Sequence, residues 1–214
     1  MTVGADVHYD TGMRARRLTT GRLKAAGIGA FFRPRDLQPL EILFPELQRL
    51  VAAGSVEKVA PGLYRLCAAD ITEQHSRAAV CARVPGAVLC LLTALSYHDI
   101  GTQLPHEVWI AIPHKARMPR VPDVKVRVVR FSGHYLEIGV ESVRLEGVPA
   151  RITNPARTVV DCFRLRRLVG FDVALEAIKW AIRDRKATPA EIHEVAKVCR
   201  AESLVTPYLD LLQA

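Results

Sequence analysis

Aromatic residues make up only 6% of this sequence, so the core must be mostly aliphatic and a binding surface rich in Trp and Tyr is not expected. The cysteines (Cys67, Cys81, Cys90, Cys162, Cys199) are odd in number, have no C-x-x-C spacing, and mostly sit in apolar runs. Such thiols are usually buried and reduced, which points to a cytoplasmic location. The opening stretch MTVGADVHYDTGMRARR is polar and does not resemble a signal peptide. The most apolar run, AVLCLLTAL at 87–95, is too short for a bilayer, which needs about 20 residues, so no membrane partner is expected.

Several chemistries lack their residues. There is no G-x-x-x-x-G-K-[ST] loop and no kinase-type glycine loop. His98-Asp99, His106-Glu107 and His114 lack the i, i+4 spacing of a zinc helix and have no cysteine at ligand spacing. They read as surface or hydrogen-bonded groups, so neither a metal nor a cofactor is expected. A nuclease would need carboxylates and a lysine converging from adjacent strands. VKVRVVR offers no carboxylate, and Glu176 and Lys179 fall on a helix. No catalytic residue is assigned.

Positive charge is plentiful. Thirty Lys and Arg against 22 Asp and Glu give +8 and a pI near 9.5, which favours polyanionic partners. Residues 1–66 hold 10 basic and 6 acidic side chains, making the N-terminal third the most basic. At 214 residues the chain suits one or two domains, and folding would bury roughly 70% of the unfolded surface without disulfides.

Along the chain, residues 1–12 read as a loose terminus. TGRLKAAGI is a short helix ending at Gly27, and RPRDLQPL a turn opened by Pro34 and stopped by Pro39. A helix follows from about Pro45 to Ala53. Phe44, Leu47, Leu50 and Val51 share its inner face, Glu46, Gln48, Arg49 and Ala52 lie outside, and Gly54 stops it. SVEKV and LYRL then pair across a Pro61-Gly62 type II turn. Helix, helix, turn, helix and hairpin make a winged helix-turn-helix, or else a helix–hairpin unit that only packs on the next domain.

Beyond it, helices are expected at 71–83 and 87–98, then strands at HEVWIAI and VKVRVVRF. In the latter Val124, Val126 and Val128 face one way, and Lys125 and Arg127 the other. ESVRLEG and VPARIT extend the sheet, with Pro149 suited to an edge. Asn154-Pro155 opens a helix, DVALEAIKWAIRDRK is amphipathic, TPAE at 188–191 is a capping box, and TPYLDLLQA closes the chain. The fold class is α+β: a winged helix-turn-helix over 1–66 with a mixed α/β C-terminal domain over 67–214.

The blocks FFRPRDLQPL…LQRLVAAGSVEKVAPGLYRL, LCLLTALSYHDIGTQLPHEVWIAIP and ITNPARTVVDCFRL, in that order, resemble the AbiEi antitoxins of abortive-infection (type IV) toxin–antitoxin systems. The resemblance covers about residues 20–213. It implies a bacterial antitoxin that represses its own operon by binding inverted repeats in the promoter, paired with a nucleotidyltransferase-like toxin. Arg33, Arg35, Gln48, Arg49, Lys58 and Arg65 are the candidate DNA contacts. This chain departs from the family at the start of the reading helix, Leu43-Phe44-Pro45-Glu46, where basic or hydroxylated residues are frequent. A carboxylate at Glu46 would repel phosphates unless it accepted from a cytosine amine.

Residues 113–130 add a second basic stretch, six Lys/Arg against one Asp, with Lys115, Arg117, Arg120, Lys125 and Arg127 as a candidate patch. It would assist DNA binding, dock an acidic partner, or simply be solvated. In NPARTVVDCF, Asp161 would accept from Arg157 one turn away or cap a nearby loop, making the block a structural hinge. The alternative function is an enzyme-like antitoxin that modifies its toxin covalently, for instance by phosphotransfer. A third is a protein-interaction module whose winged helix never touches DNA.

Overall fold

The structure, a computed structural model, describes residues 19–69, 72–122 and 124–213. The terminus at 1–12 lies outside them. Thr19 opens helix α1 (Thr20–Ala25), its hydroxyl accepting from the Arg22 amide at 3.3 Å. Strand β1 (Phe31–Phe32) follows, then a 3-10 helix over Pro34–Leu40. Pro39, expected to end this turn, lies inside it. A proline supplies no N–H for an α-type bond and crowds the carbonyl four residues back, so the tighter 3-10 winding accommodates it.

Helix α2 (Phe44–Ala52) begins where Glu46 folds back to accept the Leu43 amide at 3.0 Å. Leu47 and Leu50 are buried, but Phe44, expected on that face, is 57% exposed. It occupies the first helical position, ahead of the core contacts that start at Leu47. Strands β2 (Val56–Ala60) and β3 (Leu63–Leu66) pair antiparallel around Pro61-Gly62, where φ of 66° at Gly62 meets the type II requirement. With β3 in the middle, the small sheet has the order β1-β3-β2. Leu23, Phe32, Leu37, Leu47, Val56 and Tyr64 form the centre of this unit.

The larger sheet has five strands: β4 (Val88–Leu89), β5 (Val108–Pro113), β6 (Val126–Phe131), β7 (Val140–Leu145) and β8 (Val148–Thr153). Their order is β6-β5-β4-β8-β7, with β5/β6 and β4/β8 parallel and the other pairs antiparallel. Helix α3 (His75–Arg83) precedes it and α4 (Leu91–Tyr97) follows β4. The single helix expected over 87–98 is thus a central strand joined to a helix. Cys90 is still extended and Leu91 takes φ of 50° where the chain turns. A short, wholly apolar run cannot by periodicity distinguish a buried strand from a buried helix. Pro149, expected at an edge, lies on interior strand β8, but β4 pairs with Arg151 and Ile152, so among the described residues no strand flanks the proline on that side.

The C-terminal helices are α5 (Pro155–Arg164), α6 (Arg166–Val169), α7 (Phe171–Arg183), α8 (Pro189–Val198) and α9 (Glu202–Gln213). Asn154 caps α5 and Thr188 with Glu191 caps α8, as their residue types predict. Helix α9 starts earlier than TPYLDLLQA and runs through Pro207, and Leu204 and Val205 ahead of the proline pack into the core. Every residue of α5 from Ala156 to Phe163 is buried, with α4, α7 and α8 against it.

Both faces of the large sheet are covered. Trp109, Ala111, Val129 and Phe131 meet the C-terminal helices. Val108, Ile110 and Ile112 meet α3 together with Phe31 and Leu63 of the N-terminal unit. That unit is seated on the β7–β8 turn. The Ala30 amide donates to the Glu146 carbonyl at 2.8 Å, and Gly29 and Gly147 touch backbone to backbone. A Cβ at Gly29 would overlap the Glu146 carbonyl, and Gly147 has φ of 82°, so glycine is required on both sides. The Glu146 carboxylate accepts from the Thr72 amide and hydroxyl at 3.1 and 2.7 Å, and from His75 Nδ1 at 2.9 Å.

Candidate nucleic-acid interface

The outer face of α2 carries Pro45, Gln48, Arg49 and Ala52, all exposed, and α2 packs on β2, whose Lys58 is exposed too. Among the described residues Gln48, Arg49 and Lys58 make no side-chain hydrogen bond or ion pair, so their polar groups face solvent. Arg35 is 75% exposed and lies 3.8 Å from Asp36, a loose surface pair that water screens.

Arg33 and Arg65 are engaged by other residues of the chain. Arg33 Nη2 donates to the Ala82 carbonyl at 2.9 Å, tying the N-terminal unit to α3, and Arg83 returns a bond to the Val59 carbonyl. Arg65 pairs across the hairpin with Glu57 at 2.7 Å. Glu46 is likewise occupied, since its carboxylate accepts the Leu43 amide and lies near the positive end of its own helix. The repulsion expected from it is therefore muted. Its spacing three residues after the N-cap was the available signal.

In the second stretch, Lys115, Arg117 and Arg120 are exposed on the β5–β6 connection and Lys125 stands just before β6, none with a partner among the described residues. Arg127 pairs with Glu107 at 2.9 Å and lies over the Trp109 ring at 5.3 Å. Arg130, not singled out in the sequence, pins the start of the connection. Its Nη1 donates to the carbonyls of Pro113, His114 and Ala116 at 3.1, 2.6 and 2.9 Å.

The NPARTVVDCF block builds a buried ionic node. Arg157 Nε donates to Asp161 Oδ2 at 2.8 Å, with both side chains fully buried, and Arg164 reaches Oδ1 at 3.0 Å. Arg157 also donates to the Ile138 and Tyr135 carbonyls, so α5 and the segment before β7 are fastened together. Burial pushes the Asp161 carboxyl up, and the two guanidiniums oppose it. His98 bonds the Thr153 carbonyl at 2.8 Å, so Nε2 carries the proton, and burial pulls its pKa down. A cleft of about 290 Å³ opens between β1 and the β7–β8 hairpin, lined in part by Arg33, Arg35, Cys81 and Arg151. Burial pushes the Cys81 thiol up to about 12, which keeps it protonated and unreactive. No group of three or more His, Cys, Asp or Glu among the described residues could hold a metal ion, and no described helix is long and apolar enough to cross a membrane.

These elements define a mixed α+β protein with a three-stranded and a five-stranded sheet. The crystal structure of the RV2827C protein from Mycobacterium tuberculosis is similar to it, with a TM-score of 0.52 over 88% of this chain and 75% of that one at 14% identity. At that identity the likeness concerns the fold alone. No family model matches the chain, and no curated protein matches it by sequence.

Proposed function

We propose that the chain is an AbiEi-type antitoxin that represses its own operon, with residues 1–66 acting as a winged helix-turn-helix and 67–214 as the antitoxin domain. The observation that carries the DNA reading is the sheet order β1-β3-β2 around the α1, 3-10 and α2 helices, with Gln48, Arg49 and Lys58 exposed and unengaged. Helix α2 would enter a major groove of inverted-repeat promoter DNA while the β2–β3 hairpin lies along the adjacent backbone. Arg35, Arg49 and Lys58 would neutralise phosphates, with the Lys115–Arg120 loop as an auxiliary surface.

The antitoxin half rests on the resemblance of the two C-terminal blocks. They adjoin in the fold, since β4 and β8 pair in parallel and α4 packs on α5. The test of the first half is binding to the chain's own promoter across a salt series. Arg49→Ala and Lys58→Ala should each reduce the slope of log K against log salt by roughly 0.9. An unchanged slope refutes the assignment. The test of the second half is co-expression with the nucleotidyltransferase-like toxin that this reading places in the neighbouring gene, where growth should be restored. Failure to protect overturns the antitoxin reading, and a mass increase on the toxin would show that neutralisation is covalent.

A further inference from the structure

We infer that Phe44, flanked by Leu43, reads the 5-methyl group of thymine, so that the operator half-site facing the start of α2 is an A·T step. This rests on the DNA reading above. Leu43 and Phe44 are 68% and 57% exposed in a chain that otherwise has few aromatics and buries most of its large apolar residues. They stand at the N-terminus of α2, and in helix-turn-helix proteins that end of the reading helix meets the base edges.

The first turn has no donor to offer guanine. Leu43, Phe44 and Pro45 are apolar, and Glu46 accepts its own N-cap amide. The apolar feature of the major-groove edge is the thymine methyl, a group for which Phe is a suitable partner. Gln48 lies one turn beyond Phe44 on the same side of α2, exposed and unengaged. Its amide matches adenine N6 and N7, so the two positions together suit adjacent T and A. A second copy of the chain is the competing occupant of this apolar tip. Residues 19–66 carry seven basic and four acidic side chains, so like units repel there while a polyanion is drawn in.

The experiment compares promoter fragments with thymine and with deoxyuridine, which lacks the methyl, in the protected half-sites. Affinity of the unaltered protein should fall roughly fourfold for each methyl contacted, the worth of one buried carbon. Phe44→Ala should bind the thymine fragment correspondingly less well, no longer distinguish thymine from uracil, and keep the salt slope of the unaltered protein. Salt-dependent promoter binding with no difference between thymine and uracil overturns this inference and leaves the DNA reading standing. No promoter binding at any salt overturns both. A Phe44→Ala protein that keeps its thymine preference while losing self-association in sedimentation assigns the tip to a subunit contact and also overturns the inference. The base substitution needs no protein variant, so its result does not depend on the variant's folding.

Discussion

Replacing Asp161 with Asn removes one charge from a position that has no access to water. The Asp161 carboxylate receives Arg157 Nε at 2.8 Å and Arg164 Nη1 at 3.0 Å, and Arg157 is itself fully buried. Asn keeps the shape but cancels the negative charge, while Arg157 cannot shed its proton. Breaking one side of a buried ion pair costs about 3–5 kcal/mol. The bonds from Arg157 to the Ile138 and Tyr135 carbonyls survive, and its guanidinium remains over Phe131 at 5.5 Å, which favours the lower end of that range. At about 2–4 °C per kcal/mol for a chain of this size, 3 kcal/mol lowers the Tm by about 6–12 °C. Scanning calorimetry near neutral pH measures it. Arg164→Ala should cost less, because Arg164 is 22% exposed and water replaces part of what is lost. A fall of less than about 2 °C for Asp161→Asn, or a larger fall for Arg164→Ala, would refute the assignment of this pair as the buried ionic anchor of α5.

Reversing Lys115, Arg117 and Arg120 to Glu should leave the Tm nearly unchanged, since unpartnered surface substitutions usually cost within about 0.5 kcal/mol each. If the loop assists DNA binding, promoter affinity drops while protection from the toxin persists; loss of protection alone would assign it to the toxin. The junction at Glu146 predicts an acid limb. Partial burial works against its ionisation, but hydrogen bonds from Thr72 and His75 outweigh it and hold the carboxyl below its ordinary 4.5. The stability it contributes is present above 4.5 and is lost as pH falls through the lowered value. Tm measured across the acid range should therefore decline less steeply for Glu146→Gln than for the unaltered protein, and equal slopes would show that the Glu146 carboxylate does not hold Thr72 and His75 against the β7–β8 turn.

Signals contained within one turn of chain were legible in the sequence. Pro61-Gly62 specifies its hairpin, Asn154-Pro155 and Thr188 with Glu191 specify two helix starts, and the amphipathic pattern of 172–186 specifies α7, which ends three residues earlier at Arg183. Each depends on backbone angles or hydrogen bonds between residues no more than a few positions apart. The Arg157–Asp161 contact was legible for the same reason, being i, i+4, but its complete burial was not, since that is decided by the helices packed around α5. Only the tertiary structure split 87–98 into a strand and a helix, because Val88 and Leu89 extend to pair with Ala111, Ile110, Arg151 and Ile152. It also withdrew Arg33 from the candidate interface, through the carbonyl of Ala82 49 residues away, and left Phe44 outside the core. A local pattern states which side chains prefer water. Whether an arginine finds a carbonyl, or a phenylalanine finds a core, is settled by segments distant in sequence that arrive only when the chain has folded.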